Sequence, residues 1–290
     1  MQRRVFVKNS LLSLFAMTSL KDLEKLSDTF SYSDKMPVLF VGHGNPMNAI
    51  EDNEFSKKWT SMGKELPKPS AILCISAHWE TRGTFVTAME KPQTIHDFGG
   101  FPQELFDVQY PAPGNAVLAK EVKKEITKTE VGLNEDWGLD HGCWSVIRKM
   151  YPDANVPVLQ ISLDHTKPAQ WHYDLGKELS ALRNKGVLIV GSGNMVHNLS
   201  MVNWRDLNSG GYDWAIEMNE KFKKLISENN HKDLINYSSL GKAAALAIPS
   251  PEHYLPLLYT LALKGEKENV SFFNDKTLSG SLSMTSVKIS

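Results

Sequence analysis

With 290 residues, 41% of them hydrophobic and 22% charged, the chain has an ordinary folded composition and is long enough to bury a substantial core as one large α/β domain or two small ones. A formal net charge of -1, with no long basic run, gives no electrostatic footprint for nucleic acid or an anionic membrane surface, so the expected partner is a small molecule. The two cysteines, Cys74 and Cys143, exclude a disulfide framework and a cysteine-rich zinc site.

In chain order, the first segment is a leader spanning residues 1–35. Its opening, MQRRVFVKNSLLSLFAMTSL, sets Arg3 and Arg4 ahead of Phe6, Lys8 and an apolar stretch from Leu11 to Leu20, and it resembles a twin-arginine export signal. That stretch is too short to span a bilayer and has the length of a signal h-region. The expectation is a periplasmic protein. No A-x-A cleavage site follows, which keeps a cytoplasmic location as the alternative.

Residues 36–290 form the folded part, and no linker divides them. Pro37 to Val41 and Ala71 to Ser76 read as strands buried on both faces, followed by Val156 to Ser162 and Val187 to Val190. Apolar positions at helical spacing mark Asn115 to Lys128, Ala169 to Lys185 before Gly186, Tyr212 to Asn229, and Glu252 to Lys264 before Gly265. Ser250 is the expected cap of the last, with Pro251 at its first helical position. Val270 to Phe273 and Leu282 to Ile289 read as closing strands, antiparallel at the sheet edge. The alternation predicts an α/β fold, a single three-layer α/β/α domain with a mostly parallel or mixed central sheet. The aromatic, glycine- and proline-rich stretch from Thr94 to Gly114 lacks periodicity. It suits either a wall of a substrate pocket or a surface loop packed by its own aromatics.

Three hydrophobic runs end in a small-residue turn holding a histidine: PVLFVGHG with His43, AILCISAHW with His78, and VLIVGSGNMVHN with His197. Loops at the carboxyl ends of strands are where open α/β folds build their sites, and neutral imidazole is the commonest metal ligand. His253 follows in PSPEHYLPLL beside Glu252, and His141 lies in GLDHGCW. One such histidine alone is more often a packing residue. The shared placement, which His96, His165, His172 and His231 lack, points to a metal site, although no HExxH or CxxC spacing occurs.

His43, His78 and one member of the Glu252/His253 pair would hold a divalent metal with one face open. Such a site suits iron(II) binding substrate and dioxygen together, or zinc activating water. Glu252 and His253 stand about 100° apart on a helix, so one of them would point at the metal, and the spacing does not choose. His197 and His141 are the candidate acid/base residues, His197 also a candidate fourth ligand. Asp140 either orients a neighbouring imidazole or caps a helix. The alternatives to an oxygenase are a zinc hydrolase on the same histidines, and a non-catalytic zinc-binding periplasmic protein with a closed four-histidine shell.

GHGNP at 42–46, SAHWET at 76–81, TIHDFGGFP at 94–102, DHGCW at 140–144, GSGNMVHN at 191–198 and PEHYLPLL at 251–258 resemble the class III extradiol ring-opening dioxygenases, in the DOPA 4,5-dioxygenase type. The resemblance runs in order from about residue 36 to the C-terminus and leaves out the leader. It implies an extradiol dioxygenase catalytic domain over 36–290 that opens a DOPA-like catechol with dioxygen. It implies His43, His78 and His253 as metal ligands, with Glu252 the runner-up. His197 corresponds to an active-site histidine that binds a resting zinc or acts as acid/base, and His141 to one that hydrogen-bonds substrate or oxygen. The implied metal is iron(II) for turnover or zinc as bound.

Overall fold

A computed structural model describes residues 35–290, so the expected leader and its export signal lie outside the described residues. The chain forms β1 (Val38–Gly42), β2 (Ala71–Thr81), β3 (Thr84–Thr87), β4 (Val131–Asn134), β5 (Val158–Asp164), β6 (Val187–Gly193), β7 (Val270–Phe273), β8 (Thr277–Leu278), β9 (Leu282–Ser283) and β10 (Ser286–Ile289). Eight of these make one sheet in the order β4-β3-β5-β2-β6-β1-β10-β7, and β8 pairs with β9 in a separate ladder. Neighbouring strands in the run β5-β2-β6-β1 are parallel. β10 and β7 add antiparallel at one edge, and β3 meets β5 antiparallel at the other.

The longer helices are α1 (Glu54–Glu65), α2 (Ala116–Glu125), α3 (His141–Met150), α4 (Ala169–Glu178), α5 (Asp213–Ser227) and α6 (Leu255–Ala262). The two-residue period of the strands divides their apolar side chains between two cores. Val38, Phe40, Leu73, Ile75 and Ile189 pack with residues of α2, α4, α5 and α6. Leu39, Val41, Ile72, Cys74 and Val190 pack with Trp59 and Met62 of α1 and with Trp144 and Ile147 of α3. These two cores on one sheet are the expected three layers.

Several boundaries differ from the sequence expectation. The last long helix begins at Leu255, not after Ser250, because Pro251 to Tyr254 form a turn whose Pro251 carbonyl accepts from the Tyr254 and Leu255 N–H groups. Ala169 to Lys185 breaks at Leu179 into α4 and a short Ser180–Arg183 helix. Leu282 to Ile289 divides between the small ladder and the main sheet. β3, β4, α1 and α3 were not expected from periodicity.

Two features place the site. Along the α1/α3 face, the strands turn polar near their carboxyl ends, where Ser76, Gln160 and Ser192 are buried. The Asp140 carboxylate anchors α3 there: it accepts from Ser76 Oγ at 2.6 Å, from Gln160 Nε2 at 2.6 Å and from the Cys143 N–H at 3.1 Å. Asp140 is thus a helix cap rather than an orienter of imidazole. In β2, Ile75 pairs with Ile161 and Glu80 with Leu163, so residues 76–79 lie opposite the single residue Ser162. That irregularity lifts His78 out of the regular pleat, a common use of bulges beside sites.

Candidate metal centre

His43 follows the last residue of β1, and its N–H donates to the Gly193 carbonyl of the neighbouring β6 at 3.2 Å. Its Nδ1 lies 3.0 Å from Ser192 Oγ, and that hydroxyl donates its own proton to the Gly142 carbonyl at 2.5 Å. A hydroxyl with its proton already committed can only accept from the ring, so His43 carries hydrogen on Nδ1 and leaves the Nε2 lone pair free. His253 is held in the same way, with Nδ1 3.1 Å from Glu252 Oε1, a carboxylate oxygen that also accepts from Ser250 Oγ at 2.9 Å. The Asn194 N–H donates to the His253 carbonyl at 2.9 Å, tying this histidine to the end of β6.

His78, in the irregular part of β2, brings its Nε2 to 3.1 Å from Nε2 of His43. The ligand nitrogens of His43, His78 and His253 all lie within 4.8 Å of one another. Two nitrogens bound about 2.1 Å from one ion at roughly 90–110° stand about 3.0–3.4 Å apart, so the spacing of the first pair fits a shared ion. The electrostatics fit as well. Burial, joined by the mutual repulsion of the other ring cations, pushes the His43 and His253 imidazoles well below their ordinary range. His78 is depressed to about 3, first by burial and then by His141. Imidazoles kept neutral near pH 7 offer lone pairs to a metal without first losing a proton.

His197 and His141 flank this trio. The His197 ring stacks on that of His253, and its nitrogen groups with Glu252 and His253. Burial lowers it to about 4 despite the Glu252 carboxylate. His141 opens α3 with its ring centroid 3.9 Å from that of His78. The residue that holds His141 is Asp97, which accepts from its backbone N–H at 2.8 Å and meets its Nδ1 at 2.9 Å. Burial pushes the Asp97 carboxyl up, but these contacts outweigh it and hold the group below its usual range.

The stretch from 94 to 114 behaves in both expected ways. Phe98 packs against Phe101 and Phe106, and Nε2 of His96 lies 3.0 Å from the Val108 carbonyl, so the segment is held by its own side chains. Phe98 also meets the His141 ring edge-on at 5.5 Å, which makes the segment a wall of the site. Sequence reasoning missed Asp97. Its signal was TIHDFGGFP, where the flanking aromatics drew attention first. His172 and His231 are engaged elsewhere, with Tyr259 and Tyr173. Cys74 and Cys143 are buried thiols.

Three neutral imidazoles, those of His43 and His253 buried and that of His78 half-buried, converge at the carboxyl ends of parallel strands with two further histidines beside them, and they define a metal-dependent α/β enzyme. Residues 36–284 match the family described as the catalytic LigB subunit of aromatic ring-opening dioxygenase. A "4,5-DOPA dioxygenase extradiol" of Escherichia coli (strain K12) is 47% identical over 268 residues, covering 91% of this chain and 98% of the relative. The protein of the same name from Beta vulgaris is 34% identical over 257 residues, 87% of this chain and 95% of that one. A crystal structure of an uncharacterized protein from Escherichia coli K12 superposes with a TM-score of 0.77 at 44% identity, covering 88% of this chain and all of the other. The chain therefore belongs to the LigB family of aromatic ring-opening dioxygenases. It is an enzyme of the extradiol class whose substrates are an aromatic compound and dioxygen, which sets aside the hydrolase and the non-catalytic metal protein.

Proposed function

We propose that this dioxygenase opens the ring of a DOPA-like catechol next to its diol, using iron(II) held by His43, His78 and His253. The observation that carries the reading is the trio of ring nitrogens within 4.8 Å of one another, two of them on buried histidines and the third on the half-buried His78. His253 is favoured over Glu252 as third ligand because the Glu252 carboxylate is occupied by His253 Nδ1 and the Ser250 hydroxyl. The same nitrogen set would also accept zinc as a resting metal. The DOPA-like substrate is carried over from relatives named for it at 47% and 34% identity. Arg3 and Arg4 ahead of the apolar Leu11 to Leu20 support export to the periplasm, which cell fractionation tests.

A metal held by His43, His78 and His253 would supply the redox-active centre through which diol and dioxygen exchange electrons. The protein supplies the remaining work. Ser192 and Glu252 fix the tautomers of His43 and His253, so that neither of these two ligands has to reorient. His197, neutral at pH 7, takes the proton of a catechol hydroxyl at a ring nitrogen, and its backbone N–H donates to the Ala247 carbonyl to anchor the residue. His141 hydrogen-bonds the substrate or the reacting oxygen, and Phe98 with the rest of the 94–114 segment shields it from bulk water.

Anaerobic reconstitution with iron(II), followed by L-DOPA and air, tests the reading. The expected result is stoichiometric oxygen uptake with a yellow ring-opened semialdehyde. One bound metal per chain with no uptake on L-DOPA or a small catechol panel would overturn it.

A further inference from the structure

The Asp97 carboxylate reaches from the 94–114 segment to the first residue of α3 and takes two hydrogen bonds from one residue. Oδ1 accepts the backbone N–H of His141 at 2.8 Å, and Oδ2 faces Nδ1 of the same residue at 2.9 Å. The distance from Oδ2 to Nδ1 of His78 is 3.5 Å, too long for a good hydrogen bond. Asp140, the chain neighbour of His141, is spent on Ser76, Gln160 and the α3 cap. Among the described residues, Asp97 is thus the one placed to orient the His141 ring.

We infer that Asp97 is a positioning residue for ring opening, which fixes His141 in the tautomer with hydrogen on Nδ1 and leaves Nε2 as the nitrogen that serves the reaction. The inference rests on the reading that His141 acts on the substrate or oxygen. The chemical reason is a count of donors. A backbone N–H is always a donor, and a neutral imidazole donates through one nitrogen only. A carboxylate accepts on both oxygens, so it satisfies the backbone N–H and forces the ring proton onto Nδ1. An amide offers one acceptor and one donor. With its oxygen on the backbone N–H, its NH2 would face Nδ1 and drive the ring proton to Nε2.

The test is Asp97→Asn, the nearest change in shape, set against Asp97→Glu and His141→Ala in the metal-loaded enzyme. The expected result is a fall in kcat of about 10²–10⁴-fold for Asp97→Asn, the range that a positioned acid/base supplies, with KM and metal content held. In the His141→Ala background the same substitution lowers kcat no further, because Asp97 acts through that ring. Asp97→Glu, which keeps two acceptor oxygens, recovers part of the rate. Two-bond ¹⁵N–¹H spectra of the zinc-loaded protein read the tautomer directly, with the His141 proton on Nδ1 in the parent and on Nε2 in Asp97→Asn. Parental kcat in Asp97→Asn beside an impaired His141→Ala would overturn this inference alone. Parental kcat in His141→Ala would overturn the reading beneath it. Metal loss in Asp97→Asn, equal loss in the Glu variant, or an unchanged tautomer would also overturn the inference, by showing a role other than orienting His141.

Discussion

The imidazoles of His197 and His253 are stacked, with ring centroids 3.5 Å apart and planes 7° from parallel. Ring lone pairs lie in the ring plane, so two parallel rings aim their nitrogens alongside each other rather than at one point. A metal held by Nε2 of His253 is therefore poorly placed for His197. His197→Ala is expected to keep most of its metal and to lose about 10²–10⁴-fold in turnover, the share of a general base. Metal analysis beside single-turnover kinetics checks this, and an empty variant would move His197 into the coordination shell.

Ser192 links two elements of the site, accepting from Nδ1 of His43 and donating to the Gly142 carbonyl. Ser192→Ala leaves the His43 ring free to turn or to change tautomer and removes the tie between the end of β6 and the first turn of α3. Metal affinity should fall by roughly 10–100-fold, the usual loss for a residue that orients a ligand. A competition titration with a coloured chelator measures it, and parental affinity would show that His43 is oriented by packing alone.

The sequence carried the candidate ligands further than it carried their supports. His43, His78 and His253 stood out because each adjoins an apolar run, which is a local pattern. Asp97 and Ser192 act across 44 and 149 residues of chain, and no periodicity encodes such pairs. The parallel core was legible from the continuous apolar runs of β1, β2, β5 and β6. β3 and β4, each four residues long with mixed burial, were too short to give a period. α3 was legible but passed over: HGCWSVIRKM is amphipathic, with Arg148 and Lys149 the residues left outside its buried set, yet it opens on His141 and Gly142 and is only ten residues long. The expected start of the last helix failed because Ser250 spends its hydroxyl on Glu252 rather than on a backbone cap.

Gly142 brings the backbone of α3 against Ser76 and the candidate ligand His78. A Cβ there would lie 2.6 Å from Ser76 Oγ and 2.8 Å from Cδ2 of His78. Both neighbours are held, Ser76 by Asp140 and His78 in its bulge, so relief must come by displacing the ligand ring or the helix. Gly142→Ala is expected to destabilise the fold by about 1–3 kcal/mol, the usual cost of overpacking, and to weaken metal binding at the same time. Urea unfolding with and without zinc separates the two effects, and a variant matching the parent in both would show that α3 shifts freely.

His172 gives a pH dependence independent of the metal ligands. It lies in α4 with Nδ1 3.0 Å from the Tyr259 hydroxyl of α6, and burial lowers it to about 4, more than Asp164 can offset. The unfolded chain, with an ordinary histidine near 6.5, binds a proton there at a higher pH than the folded chain does. Stability from neutral His172 is thus full above about pH 6.5 and is lost as pH falls toward 4. The difference amounts to about 3 kcal/mol when complete, of which roughly 2 kcal/mol disappears between pH 7.5 and pH 5. His172→Gln should remove that part of the slope in urea unfolding of the zinc-loaded protein, since an amide does not titrate. Identical pH slopes in parent and variant would mean that the unfolded state keeps His172 as poorly solvated as the fold does.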